Sequence, residues 1–131
     1  MLLAADTVVD LDGVSLGKPR DANEALATLG ALAGRDHLVH TAFALLAGGG
    51  RRVDAVATTR VWFEQLSRPD LERYVASGDP FDKAGAYGIQ GLGAALVARI
   101  EGDFYTVMGL PLGQVVRCLR GLGYELPGAP R

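Results

Sequence analysis

Only two of the thirteen Lys and Arg residues are lysines, Lys18 and Lys83. In so arginine-biased a chain, a lysine suits a task that wants a compact, strongly hydrated ammonium rather than a planar fork. Lys18 stands in Leu16-Gly17-Lys18-Pro19. That is a rigid turn presenting one cation just before a helix whose N-terminus favours anions. It is too short for a Walker-type phosphate loop, lacking the hydroxyl residue and the upstream glycine. Lys83 opens a tract with glycines at 85, 88, 91 and 93, where backbone can approach a ligand closely. The spacing is not a dinucleotide fingerprint. Within it, Tyr87 reads either as a ring for stacking on a flat base or as a core residue. Gln90 either matches a base edge or stabilises its own loop. A solvated surface is the plainer reading of each lysine alone, and the flanking residues argue for a polyphosphate site.

Asp6 follows an apolar run and precedes Thr7-Val8-Val9, so the sequence predicts a carboxylate that is not a simple surface charge. Such a group needs a cation, a metal or several donors to offset desolvation. It reads either as a strand-end aspartate bonded to nearby backbone, or as a carboxylate that binds Mg²⁺ or takes a proton from water. Thr7 on its own is a good strand former. Asp10 and Asp12 are explained by turn formation, since the remainder of a calcium loop is absent. His37 and His40, three apart in a strand-like segment, point to opposite faces and are poor partners for a shared metal. Cys118 reads as a packed helix residue.

The elements that must position these residues follow from periodicity and turn chemistry. Residues 2–10 read as a strand covered on both faces, with Asp12-Gly13 as a tight turn and 14–16 as a short return strand. Asp21 and Glu24 open a helix whose apolar stripe is Ala22, Ala25, Leu26, Leu29, Leu32 and Ala33, ended by Gly34. Residues 37–46 and 53–63 form a hairpin around the 47–52 loop, with Val53, Ala55, Ala57 and Thr59 on one face. A second helix covers 69–76 with Leu71, Tyr74 and Val75 inward. Strands are expected at 95–100 and 104–108. Pro111 opens a last helix burying Leu112, Val115, Val116, Leu119 and Leu122. The fold class is α/β, a mixed twisted sheet flanked by helices.

At 131 residues, with 49% apolar and 21% charged composition, the chain is one domain with a real core. A net charge of −2 argues against a nucleic-acid-coating surface or a polybasic membrane binder. One cysteine allows no internal disulfide, and neither a signal peptide nor a bilayer span is legible, so the expected setting is cytoplasmic.

Five segments taken together closely resemble the Maf family of septum-formation-like nucleoside triphosphate pyrophosphatases. They are Ala5-Asp6-Thr7-Val8-Val9, Leu16-Gly17-Lys18-Pro19, Gly34-Arg35-Asp36-His37, the tract from Asp82 to Gly91, and Val107-Met108-Gly109-Leu110-Pro111-Leu112. They occur in the family's own order over about residues 4–120. The resemblance implies a fold similar to that of inosine-triphosphate pyrophosphatases. It implies metal-dependent cleavage, with Mg²⁺ or Mn²⁺, between the α- and β-phosphates. Asp6 matches the family's proton acceptor and metal-binding position, and Thr7 and Gln90 match positions tied to base choice. Lys18 matches a substrate-binding lysine, and Asp82 with Lys83 lies in the adjoining substrate motif. The ending Tyr87-Gly88-Ile89-Gln90-Gly91 is similar to the branch acting on dTTP and UTP. The implied partner is a nucleoside triphosphate, with no nucleic acid or membrane, and a homodimer is among the implied assemblies.

Three departures accompany the resemblance. The family opens with a strand, a Ser-Pro-Arg-Arg phosphate loop and an acidic motif ahead of the Ala-Asp-Thr segment, whereas this sequence starts close to that segment. It therefore reads as an N-terminally truncated domain at 1–122, the C-terminal two-thirds of the family unit, with a tail at 123–131. Thr106 stands where Asn is usual, and Ala42 where Gly is usual. The alternative to an active pyrophosphatase is a catalytically impaired remnant that binds nucleotide or dimerises.

Overall fold

The computed structural model describes residues 1–128. Five strands form one sheet: β1 (Leu2–Leu11), β2 (Val14–Leu16), β3 (Asp36–Leu46), β4 (Arg52–Phe63) and β5 (Val97–Glu101), in the order β2-β1-β3-β4-β5. The α/β class stands, but the sheet is not the mixed one expected: every strand pairing among the described residues is antiparallel. Four helices complete it: α1 (Ala22–Leu32), α2 (Arg68–Ala76), α3 (Phe104–Met108) and α4 (Leu112–Gly121). No helix among the described residues is long and apolar enough to cross a membrane. Of the tail expected at 123–131, residues 129–131 lie outside the described residues.

The helices lie against one face of the sheet. Along β3, His37, Val39, Thr41, Phe43 and Leu45 are buried, whereas the alternating residues are exposed or half-buried. Their register partners Val53, Ala55, Ala57, Thr59 and Val61 of β4 share that face. Helix α1 starts where expected: the Asp21 carboxylate accepts the Glu24 amide at 2.8 Å. It buries Ala25, Leu29 and Leu32 completely, the two leucines each contributing about 1.5–3 kcal/mol. Helix α2 is held by a reciprocal cap between Ser67 and Asp70, and adds Leu71, Tyr74 and Val75 to the same core as Val39, Val61 and Phe63.

Three further expectations are corrected. Strand β1 is not covered on both faces: Leu2 is 62% exposed and only Val9 of the strand is buried. On one edge β1 pairs with β3 from Leu2 to Asp10, but on the other β2 reaches only Val9–Leu11. The helices leave bare the face that carries Leu2, Ala4 and Asp6. Residues 104–108 are helix α3 rather than a strand, because Asp103 accepts the Thr106 amide at 2.7 Å after a turn at Gly102. In α4, Val115 is buried and Leu119 and Leu122 pack with it against Phe43 and Leu45, but Leu112 points outward. Val116 is only half-buried.

Candidate active site

The edge of β1 that β2 leaves free opens into a cleft of about 310 Å³. All six polar residues singled out in the sequence line it: Asp6, Thr7, Lys18, Asp82, Lys83 and Gln90. Its apolar floor and walls come from Val9, Val39, Ile89, Val107 and Met108. The lining thus combines two ammonium groups with apolar side chains that a flat ring could cover. A site of this make-up takes a ligand with an anionic end and an apolar body.

Asp6 is where the sequence reading and the structure part. It is exposed, not enclosed by the apolar run, since β1 is uncovered at that point. The Asp6 carboxylate accepts the Thr7 amide at 3.0 Å, the local backbone bond expected of a strand aspartate, and it also borders the cleft. Accessibility suits a group that would meet water and a phosphate. Desolvation of an isolated charge is no longer a problem there.

Lys83 is fixed by its neighbours. Its Nζ donates to Asp82 Oδ1 at 2.8 Å, to Asp79 Oδ1 at 3.1 Å and to the Asp79 main-chain oxygen at 2.9 Å. The bond to Asp82, with Asp79 behind it, raises the Lys83 pKa against the opposing effect of partial burial. The same contact holds the Asp82 carboxyl below its ordinary range, and the nearby Lys18 charge adds to that. Lys18 itself is exposed and makes no ion pair among the described residues, leaving its charge available to a ligand. The two lysine loops are joined, because the Gly85 amide donates to the Gly17 carbonyl at 3.2 Å.

The glycines here are required by contact. A Cβ on Gly88 would lie 2.7 Å from Lys83 Cε, and one on Gly85 would lie 2.8 Å from a Val9 methyl. Gly85 also has φ +71°, in the left-handed region that side chains disfavour. Tyr87 is a core residue. Its ring meets Phe63 and His37 edge-on, and its hydroxyl lies 2.7 Å from His37 Nε2. Burial lowers the His37 pKa to about 4 and raises that of Tyr87. His40 faces the other side of the sheet and pairs with Asp10 at 3.0 Å, so the two histidines are separate, as their spacing indicated. Among the described residues no three His, Cys, Asp or Glu side chains form a ready-made metal cage.

Three residues that sequence reasoning passed over complete the site. Asp79 holds Lys83 and accepts the Tyr74 hydroxyl, and the Gly88 amide donates to that same hydroxyl at 3.2 Å. Asp79 is held below its ordinary pKa first by Tyr74 and then by Lys83. Its i,i+4 spacing to Lys83 was a usable signal. Thr41 lies 2.8 Å from the Thr7 hydroxyl. That contact was invisible without the strand register.

The family model described as Maf-like protein matches residues 1–122. The chain belongs to the Maf family. Three curated relatives carry the name dTTP/UTP pyrophosphatase. The Methylobacillus flagellatus protein is 52% identical over 127 residues, covering 97% of this chain and 63% of the relative. The Thermus thermophilus protein is 54% identical over 124 residues, covering 95% and 66%. The Bordetella parapertussis protein is 52% identical over 126 residues, covering 96% and 60%. This Maf chain therefore spans somewhat under two thirds of the length of these relatives.

Proposed function

We propose that this chain acts on nucleoside triphosphates of the uracil and thymine class, hydrolysing dTTP or UTP to the monophosphate and pyrophosphate. What supports the reading is the convergence of Asp6, Thr7, Lys18, Asp82, Lys83 and Gln90 on one cleft. They come from three separate stretches of sequence, and the Maf relatives carry the matching name.

In this reading Asp6 accepts a proton from a water molecule as the water oxygen attacks the α-phosphorus. The bond from that phosphorus to the α–β bridging oxygen breaks, and its electrons leave with pyrophosphate. Lys18 and Lys83 offset charge on the departing group, the main task in phosphoryl-type transfer. Asp82 and Asp79 take all three donors of the Lys83 ammonium and fix its position, so what it contributes toward the phosphates is its charge. A Mg²⁺ ion arriving with the triphosphate would be held by Asp6 and would neutralise further phosphate charge. A hard ion that keeps water and phosphate oxygens needs only one or two protein carboxylates, so the absence of a three-residue cage among the described residues is compatible with it.

The experiment is pyrophosphate release from UTP and dTTP by the 131-residue chain and its Asp6→Asn variant in Mg²⁺ buffer. Loss of release by about a hundredfold or more in the variant is expected. Equal rates would reject the role of Asp6.

A further inference from the structure

Thr41 is fully buried at the centre of β3. Its hydroxyl has one hydrogen, which it donates to the Thr106 carbonyl at 2.7 Å. The Thr7 hydroxyl lies 2.8 Å from that same Thr41 oxygen. Because the Thr41 hydrogen is committed, the hydrogen in the Thr7–Thr41 contact must come from Thr7. The carbonyl at the end of the relay is itself anchored. Asp103 Oδ2 receives the Thr106 amide at 2.7 Å and the Thr106 hydroxyl at 2.8 Å. The direction of the chain is thus fixed, running Thr7 to Thr41 to Thr106. The Thr7 oxygen reaches the cleft with its donor spent, and offers a ligand only a lone pair.

Thr7 shares the lining of the cleft with Val9, Val39, Val107 and Met108. A planar base laid there would meet an acceptor. We propose that Thr41 is a positioning residue that locks Thr7 as an acceptor. The site thereby selects a pyrimidine whose edge carries an N–H, as uracil and thymine do at N3. Cytosine has a lone pair at N3 and would bring two acceptors face to face. This inference rests on the nucleotide reading above and deepens it, because it gives a physical cause for the choice of base.

The test is equilibrium binding of non-hydrolysable UTP and CTP analogues, with the α–β oxygen replaced by a methylene, to wild type, Thr41→Val and Thr41→Ser. Wild type should favour the uracil analogue by about 10–100-fold, the usual consequence of leaving a polar pair mismatched. Thr41→Val frees the Thr7 hydroxyl to donate, and should bring the ratio to within about threefold. Thr41→Ser keeps the relay and should restore the preference. A purely structural role would weaken both analogues together and leave their ratio unchanged, which would overturn the proposal. A ligand-side measurement needs no variant: the N3-methylated uracil analogue should bind wild type at least about tenfold more weakly. Equal binding of that analogue would also overturn it. Failure of wild type to bind either nucleotide would remove the nucleotide reading and this inference with it. Binding of both with no preference would remove this inference alone.

Discussion

Lys83 and Asp79 are bonded twice, once through the Asp79 main-chain oxygen at 2.9 Å and once through its carboxylate at 3.1 Å. The other carboxylate oxygen of Asp79 accepts the Tyr74 hydroxyl from helix α2. A flexible ammonium is therefore tied through two side chains to the packed core. Its four-carbon stem passes over Gly88, where no Cβ obstructs it.

Gly88→Ala should displace the lysine without unfolding the protein, because the clash at 2.7 Å is with the far end of a flexible side chain. The expected result is an almost unchanged melting temperature and nucleotide binding weakened by about tenfold, on the scale of one charge-assisted hydrogen bond. Gly85→Ala is the contrasting case. Its Cβ would strike the buried Val9 in a left-handed conformation, and a loss of about 2 kcal/mol or more in stability is expected. Thermal melts paired with nucleotide titration separate the two.

Tyr74→Phe removes the donor to Asp79 and the acceptor for the Gly88 amide in one step. Leaving such groups unpaired costs about 1–3 kcal/mol. Urea denaturation should register that loss, and the nucleotide affinity should fall with it because Asp79 is released. An unchanged affinity would show that Asp79 needs no support from α2.

Asp103→Ala removes the cap of α3, which serves both the amide and the hydroxyl of Thr106. Caps of this kind are worth about 0.5–2 kcal/mol. The expected outcome is a destabilisation in that range, with Asp103→Asn recovering most of it.

The buried His37 should make stability depend on pH. Its pKa falls from 6.5 to about 4 on folding, because burial disfavours the cation. The unfolded chain therefore takes up a proton between those values and the folded chain does not. Stability is complete above pH 6.5 and declines as the pH falls toward 4, by up to about 3 kcal/mol. Denaturation midpoints at several pH values test this, and His37→Gln should flatten the profile over that window.

Much of the frame was legible because it is local. The α1 stripe, its Asp21 cap and the β3–β4 hairpin each carry their signal within a few residues of sequence. Residues 104–108 misled for the opposite reason. Phe104, Tyr105, Thr106 and Val107 have the composition of a strand, and only the preceding Gly102-Asp103 turn makes the segment helical. The exposure of Asp6 was hidden because an apolar run looks the same whether or not a neighbour covers it. At the site, the scarcity of lysine pointed to Lys18 and Lys83. Thr41 could not be found that way, since its partners Thr7 and Thr106 lie 34 and 65 residues distant and meet it only through sheet register and the docking of α3.

The uncovered stretch of β1 carries one more implication. Across the tight turn Leu11 faces Val14, so the odd-numbered residues of β1 direct their amides toward the β2 edge, and beyond the end of β2 the Thr7 amide is taken by Asp6. Any further strand adding along that margin would compete with Asp6 for this hydrogen. Seating it would release the carboxylate from that amide, which ties extension of the sheet to the freedom of Asp6 for the proton-accepting role proposed above.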